Sequence, residues 1–510
     1  MLNLIFFTIC IILYGIFELP YNLSILQLEG YKFSQYLYTK YRQCKWNFVR
    51  LFFSVLVCFL LFFKIKGFIA FPVYYLVYIV LSIYISKKHE IKRYIYTKRI
   101  FRYFIIFVFL ALITITIYFM SRTHTTNEYC SNIMTISIYI LYTTAIGLNS
   151  VFEEILSIFF IEKAKNKIKA NQIKVIGITG SYGKTSVKNI LYELLSMHYN
   201  VVMSPKSYNT LGGLCKTINE ADLKGVDYLI LEMGADKCGD IKSLCSKFTP
   251  EYGILTAVGE QHLKGFKTID NVYKTKCELQ QCLTGERFMV FNCYNDFVRR
   301  ASENFNGEKV CVGKDIIINN FNSNCDGFSC DISTSSGQVF SADVPLLGFH
   351  NAINISLAIA MALRLGVSHD EIMTGLTNVR QVESRMEVIK RDNNVTIVNN
   401  GYNSNPQTAR CSLEVLKNYS LKKVVITPGF VELGKEQYKF NYEFGKEISA
   451  VCNEVVIVNK TNKIALFNGL KESKFDMNMV TCVDHFGDID FSGYKDCVIL
   501  IENDLPSNYI

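Results

Sequence analysis

Residues 173–186 read IKVIGITGSYGKTS, and this stretch decides the fold. Ile173 to Ile178 form a mostly apolar, β-branched run, which predicts a buried strand. Thr179-Gly180-Ser181-Tyr182-Gly183-Lys184-Thr185-Ser186 follow, and an amphipathic pattern from about 185 to 197 predicts a helix. Strand, glycine-rich turn and helix are the context of a phosphate-binding loop. Glycines let backbone N–H groups turn inward around phosphate oxygens, and the helix N-terminus adds its dipole. In this reading Gly180, Ser181, Gly183 and Ser186 belong to the cradle, Lys184 reaches the outer phosphates and the Thr185 hydroxyl is offered to Mg²⁺. The strict pattern GxxxxGK(S/T) asks for glycine at position 178, where this chain has Ile178.

Outward from the loop, a second strand over 226–231 (VDYLIL) ends in Glu232. A carboxylate at the C-terminal edge of a parallel strand faces the same crevice as the loop, so Glu232 is a candidate Mg²⁺ ligand. A third strand over 252–257 leads into Glu260-Gln261-His262-Leu263, and His262 becomes a candidate for a metal or phosphate role. The polar, turn-rich stretch 310–345 predicts a small antiparallel appendage. From about 384 the pattern returns to βαβαβ, with strands near 395–398, 422–427, 454–458 and 497–501, which predicts a second, Rossmann-like layer. Two α/β domains with a cleft between them suit closure over a reactive intermediate and exclusion of water.

The other direction is different in character. Of the net charge of +9, residues 1–150 contribute 15 Lys/Arg against 4 Asp/Glu, and 151–510 contribute 39 against 41. The positive excess therefore lies in the most apolar part, the distribution of loops between membrane spans and not of a nucleic-acid-binding face. About five stretches approach the roughly 20 apolar residues of a span: 2–19, 48–63, 67–86, 101–120 and 133–150. The first lacks a basic leader and a small-residue cleavage site and reads as a retained anchor. Basic residues concentrate in 20–47 and 87–102, which places those loops, and everything after 150, in the cytoplasm. Lys163, Lys165, Lys167 and Lys169 then either touch anionic lipid or form a solvated linker face. The expected class is a membrane α-helical N-terminal domain (1–165, about five transmembrane helices) followed by α/β: a P-loop ATPase central domain (166–383) and a Rossmann-like C-terminal domain (384–510). The 17 cysteines include no CxxC pair and no zinc-finger spacing, which reads as reduced thiols used as small hydrophobes.

Several motifs, in order, carry a family resemblance: ITGSYGKTS, SYNT, EMGAD, the QHL segment, KTKCEL, GFHNAINISLAIA, ESRME and GYNSNP. Together they make residues from about 173 onward resemble the Mur ligases, ATP-dependent amide-forming ligases of peptidoglycan synthesis. The branch most alike adds D-alanyl-D-alanine to UDP-MurNAc-tripeptide, and TPGFVELG with IENDLP resembles a membrane-bound subgroup. The resemblance implies ATP with two Mg²⁺ ions in the family's manner: Thr185 and Glu232 on one, His262 on the other. Lys276 matches a lysine carried as a carbamate, with Lys274 a rival. Asn351 resembles an adenine contact and Arg385 an arginine that reaches the nucleotide on domain closure. Tyr402, Asn403 and Asn405 match a loop at the ATP cleft, and Asn209 and Thr210 a loop beside the substrate.

Three departures stand out. Asn399-Asn400 replaces the usual Asp-Asp, which retains hydrogen bonding to the nucleotide but no charge. Lys264 stands where an acidic residue is common, and the usual UDP-gripping N-terminal domain is missing. The expectation is thus a multi-pass ligase of the bacterial cytoplasmic membrane, with its catalytic domains in the cytoplasm. It joins an amino acid or dipeptide to a carboxylate of a cell-envelope precursor, lipid-linked or not, through an acyl phosphate. Membrane lipid and envelope-synthesis proteins are the expected partners, and nucleic acid is not. The rival readings are a nucleotide-binding scaffold that recruits envelope enzymes and, more remotely, an ATP-driven transporter.

Overall fold

The computed structural model describes residues 19–43, 95–121, 127–402 and 404–504. They fall into two compact units, one formed chiefly by Met1–Phe159 and the other by Phe160–Leu505.

The described part of the first unit is helical: Leu19–Leu28, Phe33–Gln43, Lys98–Ser121 and the start of Asn127–Ala170. Polar contacts tie these helices together. The Tyr36 hydroxyl donates to Asn22 (2.7 Å), the Ser150 hydroxyl donates to the Tyr31 carbonyl (2.9 Å), and Glu153 pairs with both Arg99 and Arg102. The expectation of a multi-pass membrane protein is corrected here. Among the described residues one helical segment, Thr143–Ala170, is long and apolar enough to cross a membrane. The expected spans at 48–63 and 67–86, and all but the last residue of 2–19, lie outside the described residues. The reason lies in the counting. A tally of apolar residues treats each as lipid-facing, whereas Tyr103, Ala145 and Ile146 are buried in protein. Arg99 and Arg102, counted as loop charges, both pair with Glu153. Of the lysines placed against lipid, Lys167 donates to the Asn219 and Ala221 carbonyls and Lys165 pairs with Glu162.

In the second unit the first sheet has nine strands: β1 (Lys174–Thr179), β2 (Val201–Met203), β3 (Tyr228–Glu232), β4 (Tyr252–Leu255), β5 (Phe288–Asn292), β6 (Glu308–Val312), β7 (Ile316–Ser323), β8 (Phe328–Thr334) and β9 (Val339–Val344). Their order is β2-β3-β1-β4-β5-β6-β7-β8-β9. The sheet is parallel as far as β7 and antiparallel beyond it. The stretch expected as a small appendage is therefore an extension of the main sheet, joined through Val312 opposite Ile316. Alternation along β1 sorts its side chains to two cores. Ile176 and Ile178 pack with the helices Lys184–Leu195 and Phe349–Arg364, while Val175 faces Leu229, Leu279 and Phe248 on the other side. A strand buried on both faces reads as an apolar run.

The second sheet holds β10 (Glu387–Arg391), β11 (Val395–Asn400), β12 (Lys422–Thr427), β13 (Glu454–Val458), β14 (Val480–Val483) and β15 (Cys497–Glu502), ordered β10-β11-β15-β12-β13-β14. Only β10 runs antiparallel. The loop after β12 turns back toward the first sheet and is held from inside by three buried amides, Asn441, Asn462 and Asn503. Asn441 accepts from the Phe430 N–H (2.7 Å) and donates to the Phe430 and Gln437 carbonyls (2.9 and 2.8 Å). Asn441 is fully buried, so removing its side chain strands backbone groups away from water. Asn441→Ala is expected to lower stability by about 1–3 kcal/mol in urea unfolding, and to loosen residues 428–434 first in hydrogen exchange.

Candidate nucleotide site

The site is built where the parallel strands of the first sheet end. After β1 the backbone turns through Gly180 (φ 153°) and Gly183 (φ 81°). A Cβ on Gly180 would run into the Thr256 hydroxyl at the end of β4, and one on Gly183 would meet the Asn354 amide at 2.9 Å. Both positions therefore require glycine. Ile178 is still inside the strand and fully buried, which explains why glycine is not needed there. The turn is laced to the next strand. Ser181 N–H donates to the Ala257 carbonyl (2.7 Å), the Ser181 hydroxyl and Gly259 backbone interact at 3.1 Å, and the Thr256 hydroxyl donates to the Tyr182 and Thr179 carbonyls.

The helix Lys184–Leu195 starts directly after Gly183. Lys184 Nζ folds back on the turn and donates to the Gly180 carbonyl at 2.8 Å. Burial pulls its pKa down to about 8, opposed by the charge of Glu232. Thr185 donates its hydroxyl to Glu232 Oε2 at 2.9 Å, and Asn209 donates its amide to Glu232 Oε1 at 3.1 Å. Ser186 is half-buried on the same first turn. Lys188, one turn further along, lies 3.6 Å from Glu232 and is completely buried; the sequence reading did not single it out. Lys276, on the helix Ile269–Cys282, is also buried. Burial and the nearby charge of Lys184 bring its pKa down to about 7, against the pull of Asp236, Asp240 and Glu278.

His262 sits at the start of a single turn, Leu263–Phe266, with a left-handed backbone (φ 51°). Its Nδ1 lies 2.6 Å from Glu432 Oε2 and its Nε2 lies 3.6 Å from Asp236 Oδ1. Glu432 comes from the loop after β12, so the second sheet contributes to the site. Arg385 enters from the same side. Its guanidinium stacks 4.5 Å from the Tyr402 ring centre and donates to the Tyr402 carbonyl. Burial lowers its pKa, opposed by the charge of Glu232. A further link joins the phosphate loop itself to the second sheet: the Tyr182 hydroxyl donates to Gln407 at 2.7 Å.

Other expected site residues are engaged elsewhere. Asn351 donates to the Leu347 carbonyl and accepts from Asn354 within its own helix. Thr210 caps the helix Leu211–Glu220, and Asn405 caps Pro406–Leu416. Asn399 donates to the Ser384 hydroxyl. Asn400 points inward and donates to both carboxylate oxygens of Glu502 and to Ser412. Asn403 lies outside the described residues.

The donor set suits a phosphate with a hard divalent cation. An oxygen pair (Thr185 and Glu232) stands beside a lysine whose positive end faces the turn, and Mg²⁺ takes oxygen ligands of this kind. Fold and loop together define a P-loop α/β protein with a second, Rossmann-like sheet. Residues 178–362 match the family model of the Mur ligase middle domain.

The chain is similar to the UDP-N-acetylmuramoyl-tripeptide–D-alanyl-D-alanine ligase of Buchnera aphidicola, at 27% identity over 57% of this chain and 64% of the relative. The enzyme of the same name from Bacillus subtilis is 26% identical over 56% of this chain and 62% of the relative. The chain thus spans less than two thirds of these curated relatives. Among solved structures, MurF ligase from Thermotoga maritima in complex with ADP superposes with a TM-score of 0.61 at 23% identity, over 68% of this chain and 80% of that one. MurF from Acinetobacter baumannii gives a TM-score of 0.61 at 21% identity, over 68% and 77%. At these identities the structures establish a shared fold.

Glu502 sets a pH dependence. Burial raises its carboxyl to about 7, against the hydroxyls and amide that favour the anion. A folded-state value above the unfolded one means the folded chain binds the extra proton, so stability falls as pH rises from about 4.5 to about 7. Glu502→Gln, which mimics the protonated acid, is expected to be more stable relative to the parent at pH 8 than at pH 5. Urea midpoints at the two values measure this.

Proposed function

We propose that the chain is an ATP-dependent carboxylate–amine ligase of the Mur type. It forms an acyl phosphate on a carboxylate of a cell-wall precursor and transfers the acyl group to an amino acid or a D-alanyl-D-alanine-like dipeptide. The observation that carries this reading is the convergence of Lys184, Thr185 and Glu232 at the end of β1 and β3. The acceptor that the relatives' names suggest is UDP-N-acetylmuramoyl-tripeptide. A lipid-linked precursor is the second acceptor to try.

In this reading the ATP phosphates replace the Gly180 carbonyl as the partner of Lys184, and the backbone N–H groups of 180–185 turn toward them. Arg385 brings a second positive charge toward the transferring group from the other sheet. Both act on charge that spreads over the phosphoryl oxygens as the bond breaks. Thr185 and Glu232 would hold one Mg²⁺, His262 a second, and the ions would neutralise phosphate charge when bound. Lys276 would carry a carbamate. Burial and the charge of Lys184 favour the neutral form of this amine, the form that reacts with CO₂. The product places negative charge beside Lys184, where the ammonium form meets repulsion. Asn400 is matched to a buried carboxylate behind it, Glu502, which gives the asparagine a partner within the second sheet.

Lys184→Ala is expected to lower kcat by about 10²–10³-fold or more, with the melting temperature retained, in an assay of phosphate release and amide product by mass spectrometry. Phosphate release that needs no acceptor carboxylate and amine would overturn the ligase assignment. Depleting bicarbonate should lower the rate reversibly, and Lys276→Ala should abolish that response along with activity. A native mass spectrum lacking an added CO₂ at saturating bicarbonate would count against the carbamate.

A further inference from the structure

The contact between His262 and Glu432 joins residues 170 positions apart and links the two sheets. His262 belongs to the loop after β4, and Glu432 to the loop after β12. Both hold left-handed backbones without being glycine, at φ 51° and 63°. Such conformations persist where the surroundings over-determine them, and here both ends of one contact are constrained. The Lys264 N–H donates to the Glu432 carbonyl at 2.8 Å, which keys the two loops together two residues beyond the ring. Leu263 and Phe266 on one loop, with Phe430 and Leu433 on the other, are buried in a common core. The Asn441 amide fixes the Phe430 end of the second loop.

An imidazole that coordinates a cation must be neutral, with its hydrogen on the nitrogen away from the ion. Which nitrogen carries that hydrogen is decided by the acceptor the ring finds. At 2.6 Å from Nδ1, a Glu432 oxygen is such an acceptor, and the opposite nitrogen, Nε2, faces Asp236 and the first sheet. We infer that Glu432 is a positioning residue for the second ion. It accepts the Nδ1 hydrogen of His262, leaves the Nε2 lone pair for the cation, and so makes that ion site complete only while the loop after β12 lies against the loop after β4. The inference rests on the reading of His262 as an ion ligand. It adds that the ligand is competent only when the second sheet supplies its partner. Ion binding and the docking of the two loops then favour each other, since coupling between two equilibria is reciprocal.

Mn²⁺ titration of the full chain tests this, followed by electron paramagnetic resonance in the presence of a non-hydrolysable ATP analogue. No turnover is needed for the readout. Glu432→Ala is expected to weaken the second Mn²⁺ by about 10–100-fold and leave the first unchanged. Glu432→Gln should bind close to the parent, because its amide oxygen accepts the same hydrogen. His262→Ala should lose the second ion. Parent-like binding by Glu432→Ala alongside loss in His262→Ala would overturn the positioning role and leave the ligand reading intact. A Gln variant as weak as Ala would also overturn it. Two ions bound by His262→Ala would overturn the ligand reading itself. Melting curves accompany each variant, and should Glu432→Ala fail to fold, Glu432→Asp takes its place with the same two outcomes, since losing one methylene draws the carboxylate away from Nδ1.

Discussion

A carboxylate only 1% exposed, Glu232, governs the arrangement around it. A charge taken out of water must be matched by donors placed around it, or it neutralises itself. Three side chains, from one helix and one loop, meet that demand. Thr185 comes from the first turn of the helix after the phosphate loop, Lys188 from the next turn, and Asn209 from the loop ahead of Leu211–Glu220. Strand β3 delivers Glu232 in register with β1, where Ile178 stands opposite it. The entry of the helix, the path of the 204–210 loop and the pairing of β1 with β3 therefore depend on one another. The same charge draws Lys184 and Arg385 toward the crevice, so the electrostatics that stabilise the fold also organise the site.

Much of this was legible in the sequence, for reasons that can be stated. Gly180 and Gly183 are visible because the turn admits nothing else, and Lys184 and Thr185 because helix geometry fixes them relative to those glycines. Glu232 is visible because a strand ends there. Lys188 escaped notice because a lysine on an amphipathic helix reads as solvated until the carboxylate beneath it is known. Glu432, Gln407 and Glu502 are long-range partners, and neither period nor spacing encodes a contact across 100 or more residues. Asn400 is instructive in another way. Its motif suggested the nucleotide, but the burial along β11 turns Asn400 inward while Asn399 is partly open.

The N-terminal part shows where composition stops being informative. A run of apolar residues is compatible with lipid and with protein neighbours alike, and basic clusters are compatible with a cytoplasmic loop and with a buried glutamate. Ser150 donating to the Tyr31 carbonyl and Glu153 gripping two arginines are details that a tally does not show. The stretch 310–345 carried a milder version of the same ambiguity. Its strands were evident, but their continuity with β6 depends on the short Val312–Ile316 pairing.

Strand β15 lies between β11 and β12 although it follows both in the chain by about a hundred and by seventy residues. During synthesis the nine-stranded sheet has all its strands once residue 344 has left the ribosome. The second sheet keeps a gap at its centre until residues 497–502 arrive. Until then β11 and β12 each present an unpaired edge, the kind of surface that recruits stray strands. The gap-filling strand also ends in Glu502, whose carboxylate takes hydrogen bonds from Asn400 and Ser404 beside the Tyr402 loop. A nascent chain thus has its phosphate loop long before the opposite wall of the cleft is braced. The late-emerging segment acts as a keystone for the assembly of the site.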